Sequence, residues 1–375
     1  MQEIHVAVLG TRGFPGVQGG VERHCQELFP RLAKLGVKAE VFARESYVDP
    51  TIKEYQGVEL ITLPIIRKKS LETILHTLWG LLIIVQNKKK YDLVHMHDIG
   101  PSLLTPLARL LGLKVVMTYH SQDYERPKWS SLGKCILRTG EWCGARFSNQ
   151  IIAVSGYLKN YMQEHYNREA VYIPNGVTIP ERLPAGVTLK KFNLKAGEYI
   201  LGVGRLVKEK GFHDLIAAFK GLSGDWKLVI VGAADHEDDY SLSLKASAQA
   251  DGHIVMTGFQ TGKALQEIYA NAGLFVIPSY HEGLPITLLE AFSYGLRVLA
   301  SDIPPHLELI KDWEIIFPMG DVKALRDKLA KMTASGVWQT VMMQNIKLVQ
   351  ENFDWDKVTQ ATFAVYQKTV MKAKA

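Results

Sequence analysis

The sequence predicts an α/β protein of two doubly wound domains, and three observations carry that prediction. Residues 275–300 read as strand, loop, helix and strand: an apolar run (Phe275, Val276, Ile277) stops at Pro278, a helix runs from Pro285 to Gly295, and a second strand covers 297–300. That succession is the repeating unit of a doubly wound sheet. Residues 4–9 (IHVAVL) form a second apolar run that enters a glycine-rich turn and then a helix. The chain has 375 residues, 47% of them hydrophobic and 22% charged, which is the length of two domains with sizeable cores.

In chain order, strand 4–9 leads to Gly10, Gly13, Gly16, Gly19 and Gly20, five glycines in eleven residues. Such a loop lets backbone approach a ligand closely and accepts positive φ. Helix 20–35 stops at Gly36, and strands 37–43 and 58–62 follow. Arg67, Lys68 and Lys69 precede an amphipathic helix, 71–86, and Lys88, Lys89 and Lys90 follow it. Leu71, Ile74, Leu75, Leu78, Leu82 and Val85 keep helical spacing and are expected to face the sheet, with Glu72, Thr73, His76 and Thr77 opposite. Strand 92–97 ends in His97-Asp98, helix 101–111 comes next, and strand 114–119 ends at His120. Residues 124–147 mix basic residues with Trp129 and Trp142 in a helix expected over 129–146. Strand 150–154, helix 156–166 capped by Ser155, and a strand to Ile173 close the first domain, and a turn-rich hinge spans 174–180.

The second domain opens with strand 199–203 and the loop Gly204-Arg205 to Lys210-Gly211, followed by helix 212–220. Strand 227–231 precedes an acidic loop at 236–240 that reads as solvent-exposed. Strand 253–257 runs into Gly258-Phe259. Helices near 321–335, 337–351 and 356–372 finish the chain.

Open sheets bind ligands at the carboxyl ends of their strands. Arg205 and Lys210 at a strand-to-helix turn suit a diphosphate, with Arg as a fork and Lys as a point charge. The helix opening at Pro285 turns the N–H groups of Leu284, Ile286 and Thr287 outward, where its dipole favours a phosphate. Glu282 precedes that helix and Glu290 lies in its second turn, so two carboxylates flank the phosphate position.

The string S-x-x-E-G-x-P-x-x-x-L-E-A, with Glu282-x7-Glu290, resembles the family 4 retaining glycosyltransferases of GT-B fold, and the resemblance covers nearly the whole chain. The loop G-T-R-G…G-G-V-E-R resembles a bacterial subgroup of that family, rhamnosyltransferase-like, many of whose members build surface polysaccharides. The resemblance implies two Rossmann-like domains, 1–173 on the acceptor side and 174–355 on the nucleotide-sugar side, with a cleft between them and a helix, 356–375, crossing back. It implies a nucleoside diphosphate sugar as donor and a glycan or lipid-linked acceptor, with no cofactor and no metal. By the same resemblance, Glu282 contacts the donor hexose and Glu290 the ribose hydroxyls, and Gly283 belongs to the donor-binding set. Gly19 and Gly20 abut the diphosphate and the acceptor pocket. His120 sits against the donor sugar, Arg205 and Lys210 hold the phosphates together with the 284–287 turn, and Gly258 and Phe259 face the base. His120, Glu282, Arg205 and Lys210 are the expected catalytic set.

Two rival readings come from the same residues. Gly10, Gly13 and Gly16 spell the G-x-x-G-x-x-G of nicotinamide-binding oxidoreductases, and Tyr124…Lys128 spells their Tyr-x-x-x-Lys. Pro127, however, breaks the helix that would bring that pair together. An inactive binding subunit would have lost Glu282, Glu290, Arg205 or Lys210, and all four are present. Asp354-x-Asp356 imitates a metal-binding D-x-D but stands at a helix start, where capping accounts for it.

The net charge of +6 is uneven: residues 1–180 hold 22 Lys/Arg against 16 Asp/Glu, and residues 181–375 hold 22 against 22. An anionic partner for the first half is expected, a membrane surface or a phosphate-bearing acceptor. No nucleic-acid motif is present. Three cysteines without a C-x-x-C pair read as thiols of a reducing compartment. The N-terminus lacks a signal-peptide pattern, and no run of roughly 18 apolar residues spans a bilayer. The expectation is a cytoplasmic protein, peripheral on the inner face of the plasma membrane.

Overall fold

The computed structural model describes residues 3–64, 72–127, 129–334 and 339–371, with backbone only for 339–342. The chain divides into unit 1, residues 1–175 and 355–375, and unit 2, residues 176–354. Arg67, Lys68, Lys69, Leu71 and Lys128, and the expected helix bounds 335, 337 and 372, lie outside the described residues.

Unit 1 contains β1 (Ile4–Leu9), α1 (Gly20–Lys34), β2 (Val37–Arg44), β3 (Glu54–Tyr55), β4 (Val58–Leu63), α2 (Glu72–Gln86), β5 (Leu93–His97), α3 (Ile99–Ser102), α4 (Thr105–Leu110), β6 (Val115–Tyr119), α5 (Ser131–Phe147), β7 (Gln150–Ala153), α6 (Gly156–Tyr166) and β8 (Val171–Tyr172). Its sheet runs β3-β4-β2-β1-β5-β6-β7-β8, parallel throughout except for the β3 edge. The order reverses between β1 and β5, which pair from Val6↔Leu93 to Leu9↔Met96. The apolar strands are buried on both faces, as parallel sheets require.

Unit 2 contains α7 (Val187–Lys191), β9 (Tyr199–Val203), α8 (Phe212–Phe219), β10 (Lys227–Val231), α9 (Asp239–Gln249), β11 (Ile254–Gly258), α10 (Gly262–Ala270), β12 (Leu274–Ile277), α11 (Ile286–Ser293), β13 (Val298–Ser301), α12 (Pro304–Leu309), β14 (Ile316–Phe317), α13 (Val322–Ala334) and α14 (Gln339–Asn352). Its six strands run β11-β10-β9-β12-β13-β14, all parallel, with the reversal between β9 and β12. The last helix, α15 (Trp355–Met371), belongs to unit 1. Its Trp355, Val358, Val365 and Tyr366 join Leu28, Phe29 and Leu32 of α1 in one core cluster.

Four local expectations need correction. The helix expected over 101–111 is two short helices, α3 and α4. Pro106 is the reason: it has no N–H and its ring crowds the carbonyl of the preceding turn, so Leu103 and Leu104 close back on Gly100 and Pro101 with i→i+3 bonds instead. Pro285 caps α11 in extended backbone rather than opening it, and α5 begins at Ser131, not 129.

The fourth correction is the face of α2. Glu72, His76 and Thr77 are buried with Leu81 and Ile84, while Leu82 and Trp79 are about half exposed (53% and 50%). Buried partners explain the inversion. The Arg44 guanidinium at the end of β2 donates to Glu72 at 2.8 Å and to Thr73 at 3.1 Å, and His76 Nε2 is 3.2 Å from the Ala43 carbonyl.

Candidate functional site

In unit 2 the loops leaving β9 and β12 meet at the point where the strand order reverses, the ligand position of an open α/β sheet. They are joined by backbone: the Tyr280 N–H donates to the Glu209 carbonyl at 2.8 Å. Gly211 has φ +68, and a Cβ there would stand 2.0 Å from the Pro278 carbonyl oxygen, so only glycine allows the approach. Ser301 Oγ, at the end of β13, donates to the Ser279 carbonyl at 2.5 Å. The sequence thus builds three strand ends into one rigid rim.

On that rim Lys210 Nζ lies 2.5 Å from Glu282 Oε1, which also accepts from Ser279 Oγ at 2.7 Å. Burial alone would raise the Glu282 carboxyl, but the charge and hydrogen bond of Lys210 outweigh it and hold it below the usual carboxylate range. Arg205 Nη1 donates to Asp235 Oδ2 at 3.0 Å. Each expected phosphate cation therefore has a carboxylate partner. Asp235 is a residue the sequence reading missed; its only signal was its place just past the end of β10.

Gly283 and Leu284 are buried in the turn before α11, and Thr287 is half-buried at its start with Ile286. Glu290 accepts from the Tyr269 hydroxyl of α10 at 3.0 Å. Gly258 ends β11 with φ +71, and the Phe259 ring beyond it is 41% exposed.

In unit 1 the loop after β1 meets the end of β5, again at the reversal. Gly10 has φ +105, and a Cβ there would stand 2.2 Å from the His97 carbonyl oxygen. Gly19 precedes α1 and Gly20 begins it. The loop is tied to α1 by a buried pair: Arg12 donates to Glu22 from its backbone N–H and Nε, both at 3.1 Å, and from Nη2 at 3.0 Å. His120 follows β6 with only 8% exposure. Its Nε2 is 3.0 Å from His97 Nδ1, and the His24 ring stands edge-on 5.0 Å away. The His95 ring lies 4.1 Å from that of His97, tilted by 36°, and 2.6 Å from the Tyr366 hydroxyl of α15. Burial lowers all four rings, His24 to about 4 and His95 to about 3, with His97 and His120 well below the ordinary value, so they are neutral at pH 7. The four stand on three elements far apart in sequence, and no motif spacing announces them.

Tyr124 lies in a 3₁₀ turn and α5 starts only at Ser131, so no helix links Tyr124 to position 128.

Two family models match this architecture, Glycosyltransferase Family 4 over residues 18–179 and Glycosyl transferases group 1 over residues 188–347. An uncharacterised glycosyltransferase of Methanocaldococcus jannaschii is 26% identical, over 94% of this chain and 95% of its own. Among solved structures, sucrose-phosphate synthase from Thermosynechococcus elongatus superposes with a TM-score of 0.83 at 21% identity, covering 100% of both chains. Anabaena HepE in complex with UDP-glucose gives 0.78 at 17% identity, covering 97% of this chain and 100% of that one. Two Rossmann-like units of this kind make the GT-B fold, and the chain belongs to glycosyltransferase family 4.

Proposed function

We propose that the protein moves a sugar from a nucleoside diphosphate sugar to a glycan or lipid-linked acceptor, with retention of configuration, in cell-surface polysaccharide biosynthesis. The observation that carries this reading is the meeting of Lys210, Arg205, Glu282 and the start of α11 at the strand reversal of unit 2. The UDP-glucose bound by HepE supports the donor class. As the glycosidic bond breaks, negative charge grows on the β-phosphate. Lys210 and Arg205 exchange their carboxylate partners for phosphate oxygens, and the first-turn amides of α11 add partial positive charge. Glu282, released by Lys210, turns to the donor hexose, and Glu290 to the ribose. No carboxylate is marked as a nucleophile, so the acceptor attacks on the leaving-group face with the departing phosphate taking its proton.

A nucleoside diphosphate is expected to raise the melting temperature, and NAD(H) and NADP(H) to leave it unchanged. At 100 times its Kd a ligand adds about 2.7 kcal/mol. A rise with nicotinamide cofactors alone would replace this reading by the oxidoreductase one.

Because side chains and a helix dipole supply the countercharge, transfer is expected to continue in excess EDTA. Loss of activity on chelation, restored by Mg²⁺ or Mn²⁺, would refute that.

The acceptor side also has a surface suited to lipid. Trp79 and Leu82 on α2, Leu110 on α4 (84% exposed) and Leu132 and Trp142 on α5 are exposed large apolar residues. α3 lies against both α2 and α5, and α4 against α5. Lys88 and Lys89 are exposed just past the end of α2, Arg138 is exposed on α5 with Glu125 at 4.0 Å, and Lys90 is engaged by Glu40. No helix among the described residues is long and apolar enough to cross a membrane. Each basic residue near anionic lipid contributes about 1 kcal/mol. The protein is expected to sediment with anionic vesicles at low salt and to leave them at high salt, and Lys88→Ser with Lys89→Ser should weaken the binding. Equal sedimentation with neutral vesicles would assign these residues to solubility alone.

A further inference from the structure

We propose that His24, His97 and His120 form a transition-metal site in unit 1, one that takes Zn²⁺ or a like cation and, when filled, restrains His120. One ring nitrogen from each lies within 4.8 Å of the others. A metal about 2.0–2.1 Å from each nitrogen allows at most roughly 4 Å between two ligands, so small ring shifts close the trio on an ion. The pair His97 Nδ1 and His120 Nε2 is already at 3.0 Å.

The tautomer of His24 is set from outside the trio. Its Nδ1 lies 2.9 Å from Asn175 Oδ1, an oxygen that only accepts. The proton therefore sits on Nδ1, and Nε2 keeps its lone pair. That Nε2 is buried and has no hydrogen-bond partner, and the same holds for Nε2 of His97. A buried acceptor without a donor is unfavourable, and a cation at His24 Nε2 relieves it. Asn175 then acts as the outer partner that orients a ligating histidine. Three neutral imidazoles select Zn²⁺, Co²⁺, Ni²⁺ or Cu²⁺, because Mg²⁺ and Ca²⁺ prefer oxygen. The three histidines belong to unit 1, and Arg205 and Lys210 belong to unit 2.

The test uses full-length protein without a polyhistidine tag, stripped with EDTA and titrated with Co²⁺. One equivalent is expected to be retained on dialysis with visible absorption from nitrogen ligation, displaced by Zn²⁺ and untouched by excess Mg²⁺. His24→Gln and His120→Gln should each abolish the absorption, and Asn175→Ala should weaken Co²⁺ by about 10–100-fold. His76→Gln, at a buried histidine outside the trio, should keep it. Wild type that retains no Co²⁺, or His24→Gln that binds as wild type does, overturns the site. The restraint of His120 rests on the transferase reading, and turnover should fall as Co²⁺ occupancy rises. Unchanged turnover at full occupancy overturns that restraint while the absorption still reports the site.

Discussion

Lys210→Met is expected to lower turnover by about 10²–10³-fold, the loss typical of removing one preorganised charge from a developing oxyanion. Lys210 serves two groups in turn. It neutralises Glu282 at 2.5 Å, and under the proposed function it meets the β-phosphate once donor is bound. Methionine keeps most of the stem volume and removes the charge. Burial then acts on Glu282 with its main opposing influence gone, so its carboxyl rises above the ordinary range and becomes protonated more readily. The variant thus loses the phosphate countercharge and alters the carboxylate expected at the hexose. Arg205→Met should cost less in turnover and more in nucleotide affinity, because Arg205 stands at the outer side with Asp235. Single-turnover rates and nucleotide Kd for both variants separate the two. Wild-type turnover in Lys210→Met would remove Lys210 from the reaction.

The strands and their order of use were legible because parallel strands buried on both faces are short apolar runs bounded by glycine and proline. Strands 199–203 and 227–231 and helix 156–166 match the structure residue for residue. Motifs placed at strand ends could also be read, since a residue just past an apolar run in this fold has one place to be. The face of α2 could not be. Periodicity finds an apolar stripe without saying which side the sheet takes, and the buried Arg44–Glu72 pair decides it from 28 residues away. The same limit hid Asp235 opposite Arg205 and the gathering of His24, His97 and His120. Those partners come from different strand ends and, for His24, from helix α1, and only the tertiary fold brings them together.

That order also places the glycine loop after β1 under the control of one buried ion pair, and Glu22→Gln is expected to expose it. Glu22 is 5% exposed and bound three times by Arg12, whose Nη2 also donates to the Gln18 carbonyl. Burial pushes the Glu22 carboxyl up, but the Arg12 charge and hydrogen bonds outweigh it and hold it at about 2, against 4.5 when unfolded. A carboxyl depressed in the folded state stabilises above its unfolded value and loses that contribution as pH falls toward the folded one. Here the contribution is complete above about pH 5 and gone near pH 2, and the gap converts to roughly 3 kcal/mol. Glu22→Gln leaves the Arg12 guanidinium, itself mostly buried, without its countercharge. Breaking such a pair costs about 3–5 kcal/mol. Denaturant midpoints should therefore differ strongly between wild type and Glu22→Gln at pH 7, and the difference should shrink steadily from pH 4.5 to pH 2. A difference that does not change with pH would mean that Glu22 contributes shape and not charge. With the pair gone, residues 10–19 lose their buried tie to α1 and keep the exposed Gly16 N–H bond to Gln26 Oε1 at 3.2 Å; under the proposed function, in which this loop abuts the donor, nucleotide-sugar affinity should fall along with stability, and by more than the affinity for the bare nucleotide.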